Sequence, residues 1–202
     1  MKPWGAVEDF EKAIGEYTGA PYVTCVNSAS AAILLALLWH QPKTKAPLLG
    51  VHVPRKTYIS VPMAVQLTGC FFPDFMDKEW SGIYQLKPLP VWDCALRFTS
   101  GMYEAAQFQC VSFAAAKILG IEQGGAILHD NREADLWFKK MRFDGRTSGA
   151  DVDTDDTDVI GYHVPMLPSI AAQGILRLSQ LPKHNPDQVR TYPDISKKSC
   201  FK

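Results

Sequence analysis

Residues 22–39 read YVTCVNSASAAILLALLW. Tyr22 to Val26 is β-branched and aromatic and predicts a short strand, bounded upstream by Gly19 and Pro21. Asn27, Ser28, Ala29 and Ser30 form a run of capping residues, and Ala31 to Trp39 is a strongly apolar helix former. Strand, capped turn and buried helix in direct succession are the building unit of an α/β sheet.

Working outward, Val7, Phe10, Ile14 and Tyr17 recur at helical spacing, and Glu8, Asp9 and Glu11 favour the dipole of a first turn. They predict a helix over 6–18. Downstream the unit recurs: a strand over 48–53, a helix over 58–67, and a strand over 70–75. Further apolar runs at 89–92, 109–113 and 125–129 predict more strands, and 132–141 and 169–181 predict helices. The fold class expected is α/β, a three-layer sandwich around a mostly parallel sheet. Residues 149–158, with five aspartates and no periodicity, predict a solvated loop. The polar, proline-containing tail over 182–202 is expected to be extended or poorly ordered and to stand apart from a single domain over 1–181.

Composition narrows the function. The 21 basic and 21 acidic residues cancel, so no basic footprint for nucleic acid is present. The longest apolar stretch, Ala31 to Trp39, is far shorter than the roughly 20 residues of a membrane-spanning helix. The N-terminal residues carry no apolar signal core, so a cytoplasmic protein is expected. The five cysteines, at 25, 70, 94, 110 and 200, lie widely spaced and mostly in apolar runs, and read as buried thiols. No Cys-x-x-Cys pair or His spacing suits a metal.

Four features can carry chemistry. Ser28-Ala29-Ser30 before an apolar helix is ordinary N-capping, yet a helix N-terminus with two added hydroxyls also suits a phosphate. Asp93 ends the apolar run Pro90-Val91-Trp92; it is a turn former or, if partly buried, a partner for a protonated ring nitrogen. Lys117 follows Ser112 in SFAAAK. A lone loop lysine is usually a solvated charge, but small apolar neighbours would desolvate this amine, lower its pKa and leave it able to attack an aldehyde. Gly124-Gly125 makes a tight turn or lets backbone approach a ligand closely.

The ordered blocks FEKAIGEYTGAPYVTCVNSASAAILLAL, VHVPRKTYISVPMAVQLTG, VWDCA, SFAAAKILGIEQGGAILHD and GYHVPMLPSIAAQGILRLSQL resemble the DegT/DnrJ/StrS-type sugar aminotransferases. The resemblance implies a pyridoxal-phosphate enzyme with the aspartate-aminotransferase fold. Carried onto this chain, it makes Lys117 the Schiff-base lysine and Asp93 the partner of the pyridine nitrogen. It assigns the cofactor phosphate to Ser28, Ala29, Ser30 and Ser112, and a ring stacked on the cofactor to Tyr58. Its implied reaction takes an amino group from glutamate to a keto sugar nucleotide, giving an amino sugar, in a homodimer or larger assembly.

The chain also departs from the family. It is shorter, corresponding to a reduced large, cofactor-binding domain with the C-terminal small domain largely missing. Between Asp74 and Asp93 it is too short for the family's additional strand and helix. Leu96 stands where a Gln is common, and His163 and Pro165 replace an Asn and an Arg. These departures support a rival expectation, a non-catalytic binding or assembly module that has lost transamination. A pyridoxal-phosphate dehydratase or epimerase ranks last, since the dehydratase branch replaces the lysine that this chain keeps.

Overall fold

The computed structural model describes residues 4–42, 48–147, 149–151 and 153–201. Helix α1 spans Gly5–Thr18 and buries Val7, Phe10 and Ile14 on one face. It stops at Gly19, whose positive φ lets its N–H close on the Gly15 carbonyl at 2.8 Å. Strand β1, Tyr22–Val26, leads into α2, Ala29–Trp39. Ser28 is the N-cap, and its Oγ accepts a hydrogen bond from the Ala31 N–H at 3.2 Å. Next come β2 (Leu49–Pro54), α3 (Ser60–Leu67) and β3 (Phe71–Met76), a βαβ unit whose strands pair in parallel. The remaining elements are β4 (Tyr84–Gln85), β5 (Val91–Asp93), β6 (Phe108–Ser112), β7 (Gly125–His129), α4 (Arg132–Met141), α5 (Pro168–Ser179) and a 3-10 turn at Ser199–Phe201.

The main sheet has the order β1-β7-β6-β5-β4, and β2-β3 forms a separate two-stranded sheet. Alternate residues face opposite layers. Val23, Cys25, Val111, Ala126 and Leu128 pack with α1 and α5, whereas Val26, Cys110 and Ile127 pack with α2, α3 and α4. The three-layer α/β sandwich therefore stands. The sheet is mixed rather than mostly parallel, with antiparallel β1/β7, β6/β7 and β4/β5 ladders and a parallel β5/β6 ladder. The cause is the position of β7. Strands β1, β6 and β5 all run in one direction, but β7 doubles back from β6 through the loop 113–124 and inserts beside β1, turning two ladders antiparallel.

This arrangement brings the ends of the co-directional strands to one edge. Val26 and Ser112 both pair with Gly125, and Asp93 pairs with Cys110 one strand further on. Ligands of open α/β sheets bind outside such carboxyl ends. A buried ion pair ties the layers together: Arg142 contacts Glu11 and donates to the Cys25 carbonyl at 2.7 Å, while the Cys25 N–H donates to Glu11 at 2.8 Å.

The tail packs along the domain without helix or strand up to its last turn. Arg97 grips Asp187 through two bonds of 2.8 and 2.6 Å. The Asn185 amide donates to the Tyr17 hydroxyl and the Phe98 carbonyl, and Ile195 is buried. The cysteine expectation holds for Cys25, Cys94 and Cys110, but Cys70 is only partly buried and Cys200 is exposed because it lies in that terminal turn. Among the described residues no helix is long and apolar enough to cross a membrane.

Candidate active site

A cavity of about 320 Å³ opens at the carboxyl edge of β1, β5 and β6. Ser28, Ala29 and Ser30 line it from the first turn of α2, where helix geometry leaves N–H groups without intrahelical acceptors. Ser112, the last residue of β6, lines it beside them. The turn can lie this close to the sheet because Gly125 begins β7. A Cβ at that position would fall 2.5 Å from the Ala29 nitrogen. The close approach that Gly125 permits is therefore to the backbone of the α2 turn rather than to a ligand, and it seats that turn against the strand. The Ser30 and Ser60 hydroxyls share a 2.6 Å hydrogen bond, joining the turn to the start of α3.

Asp93 and Lys117 face the same cavity. Asp93 is only 4% exposed. Its Oδ1 accepts from the Ala95 N–H at 2.9 Å and its Oδ2 from the Tyr84 hydroxyl at 2.7 Å. Burial pushes the Asp93 pKa up, opposed by those two bonds and by the Lys117 charge. Lys117 lies in the loop between β6 and β7, in a turn held by its own N–H bonded to the Ala114 carbonyl at 2.8 Å. Burial pushes its amine below the ordinary lysine range; nearby Asp93 opposes that shift and Arg190 adds to it. Tyr58 lines the cavity from the loop before α3, with its ring about half exposed. All seven residues singled out from the sequence thus meet around one opening.

Sequence reasoning missed four further residues. Tyr84, on the two-residue strand β4, is buried, and its hydroxyl bridges Asp93 and Thr57 Oγ1. Trp80 lines the cavity and packs on Tyr84 with ring centroids 4.6 Å apart. Arg190 and Tyr192 arrive from the tail. The only local hint was aromatic residues, Trp80 and Tyr192, embedded in polar stretches with no periodic core pattern to explain them. Leu96, by contrast, is buried.

The sequence profile of the DegT/DnrJ/EryC1/StrS aminotransferase family matches residues 4–82 and 100–194. The chain belongs to this family. Solved structures with the same fold include AtS13 from Actinomadura melliaura, with 19% identity and a TM-score of 0.71 over 86% of this chain and 59% of that one. The sugar aminotransferase CalS13 from Micromonospora echinospora matches with 18% identity and a TM-score of 0.69, over 87% of this chain and 60% of that one. Helicobacter pylori PseC, an aminotransferase involved in pseudoaminic acid biosynthesis, matches with 16% identity and a TM-score of 0.68, over 87% and 57%. This family member therefore spans less than two thirds of the length of these solved relatives. No curated protein matches it by sequence.

Pyridoxal phosphate is the family's cofactor, and the donor set fits it. A helix N-terminus with three serine hydroxyls suits a dianionic phosphate. A buried carboxylate held by two donors suits a protonated ring nitrogen. A partly desolvated lysine suits an aldehyde carbon.

Proposed function

We propose that this chain binds pyridoxal 5'-phosphate and transfers an amino group from glutamate to a keto sugar nucleotide. The observation that carries the reading is that Lys117, Asp93 and the first turn of α2 share one cavity. When bound, the cofactor supplies an electron sink that stabilises the carbanion left by deprotonation of a substrate amino acid. In this reading the α2 turn, with Ser28, Ala29, Ser30 and Ser112, anchors the phosphate. Asp93 holds the proton on the pyridine nitrogen, and Tyr58 covers a ring face. Lys117 would have two tasks: its neutral amine would hold the cofactor at its aldehyde carbon, with loss of water, and, freed when the donor's amine takes its place, would move the proton from the donor's Cα.

The domain boundary near residue 181 also belongs to this proposal, and so does a homodimer or larger assembly. Exposed Ile160, Leu167 and Leu176 support the assembly by leaving apolar surface uncovered. Sedimentation of the purified chain as a monomer would remove it.

The rival reading, a non-catalytic module, is favoured by one observation: Leu96, which stands where the family commonly has a Gln, is a buried apolar residue. One experiment separates the two. The protein is mixed with pyridoxal phosphate, its visible absorption is followed as glutamate is added, and borohydride-reduced samples are mapped by mass spectrometry with Lys117→Ala as control. A glutamate-dependent band shift with the label on Lys117 supports the aminotransferase. A labelled Lys117 with no response to glutamate supports the module. No label at Lys117 refutes cofactor attachment there.

A further inference from the structure

The tail crosses the mouth of the cavity and is fastened on both sides of it. On one side, the Gln188 N–H donates to the Leu96 carbonyl at 2.9 Å, and its side-chain amide donates to the carbonyl of Ala116, next to Lys117, at 3.1 Å. On the other, the Ile195 N–H donates to the Arg55 carbonyl at 2.9 Å, and the Ile195 side chain is buried. Residues 189–194 therefore run from the loop that carries Lys117 to the segment that leads into Tyr58. From this bridge Arg190 and Tyr192 line the cavity. Tyr192 lies nearly parallel to Trp80, with centroids 6.0 Å apart and planes 21° apart, and the Arg190 guanidinium sits over the Tyr192 ring at 5.4 Å. The aromatic pair forms a wall that holds the guanidinium at the opening.

The charges around the cavity show what this guanidinium is available for. Among the described residues, the cations lining it are Lys117 and Arg190, and the anions are Asp93 and Glu122. The other charged groups of this part of the tail are engaged: Asp187 pairs with Arg97, and Asp194 accepts from Ser196. Arg190 makes no salt bridge to a described carboxylate. In the proposed reading the α2 turn accounts for the cofactor phosphate, which leaves Arg190 as the cavity's cation besides Lys117 among the described residues.

We propose that Arg190 is the substrate-anion residue of this site, taking the α-carboxylate of the amino donor, and that the bridging tail is the wall that presents it. The inference rests on the aminotransferase reading above. A planar guanidinium matches a carboxylate through two parallel hydrogen bonds. A donor's α-carboxylate is also separated from its reacting amine by a single carbon, so its binding group must stand near Lys117. The single guanidinium suits a carboxylate better than a nucleotide diphosphate, which calls for several cations.

The test uses the full chain loaded with pyridoxal phosphate. Visible absorbance is followed during titration with glutamate and with 4-aminobutyrate, which lacks the α-carboxylate, in the wild type, Arg190→Gln and Arg190→Lys. Calorimetry measures cofactor binding by each protein, and uridine diphosphate serves as competitor. Arg190 is exposed, so its replacement leaves the core intact. The expected result is at least a tenfold rise in the half-saturating glutamate concentration for Arg190→Gln and a smaller rise for Arg190→Lys. The response to 4-aminobutyrate and the affinity for cofactor stay unchanged. An unaltered glutamate titration in Arg190→Gln overturns the inference alone, as does weakened competition by uridine diphosphate with glutamate unaffected. A wild type that takes up no cofactor overturns the aminotransferase reading, and this inference with it.

Discussion

The hydroxyl of Tyr84 donates a 2.7 Å hydrogen bond to Oδ2 of Asp93, and both groups are buried. Asp93 pairs with Tyr84 across the β4/β5 ladder, so a strand of two residues positions the acid of the site. The hydroxyl lies within 2.6 Å of Thr57 Oγ1, which links the acid to the loop carrying Tyr58. Removing that hydroxyl in Tyr84→Phe deprives the charged carboxylate of a donor and lets burial raise the Asp93 pKa further. The expected loss is about 1.5 kcal/mol in holding the ionised acid, or roughly tenfold in affinity for pyridoxal phosphate. Cofactor titration across pH checks this: the variant's affinity should begin to fall at a higher pH than the wild type's as the solution is acidified. Equal profiles would show that Tyr84 is only a packing residue.

The tail should respond to the loss of its clamp. Arg97 and Asp187 form a two-pronged pair with both side chains partly shielded from solvent. Arg97→Ala removes about 1 kcal/mol from the docked state of the tail, a shift of roughly fivefold toward its undocked form. Limited trypsin digestion should then cut after Lys183 and Arg190 about fivefold faster while the domain remains resistant. Unchanged cleavage rates would mean that Asn185, Gln188 and Ile195 suffice to hold the segment.

His129 should make the fold sensitive to mild acid. Its ring is fully buried, stacked on Phe108 and edged by Phe138, and burial lowers its pKa from 6.5 to about 4. The unfolded chain therefore binds a proton at pH values where the folded chain does not. The stability contributed by the neutral ring is complete above pH 6.5 and is lost as pH falls toward 4, about 3 kcal/mol in all. Urea midpoints measured between pH 7 and 4 should fall more steeply in the wild type than in His129→Phe. Parallel slopes would refute the assignment.

The Glu11–Arg142 pair should be costly to break from one side. Arg142→Leu leaves the Glu11 carboxylate buried and removes a donor from the Cys25 carbonyl. Destabilisation of about 3–5 kcal/mol is expected by chemical denaturation. Replacing both residues by apolar ones of similar size should recover a large part of the loss. A double variant as unstable as the single one would show that the pair's hydrogen bonds to the Cys25 backbone dominate.

Much of this was readable in the chain. The strand 125–129 and the helix 132–141 coincide with β7 and α4, because a short apolar run and an amphipathic repeat are set by residues close together in the chain. Ser28 caps α2 as its position before an apolar run implied, although the helix begins at Ala29 rather than Ala31. Strand β4 was not readable, since two residues carry no period, and with it went Tyr84. The parallel character of the sheet was overestimated because strand order depends on where β7 inserts, and no local pattern encodes that.

The sequence by itself determined the α/β class, the capped turn after β1, and the family to which the chain belongs. Propensity, capping and periodicity act over a few residues, so they can be read from neighbours alone. Only the tertiary structure decided that Tyr84 would hold Asp93, and that Arg190 and Tyr192 would cross from the tail to the mouth of the same cavity. Those meetings depend on how sheets, loops and a pinned tail pack across long stretches of chain. A contact between distant residues leaves no spacing to read until packing has brought them together.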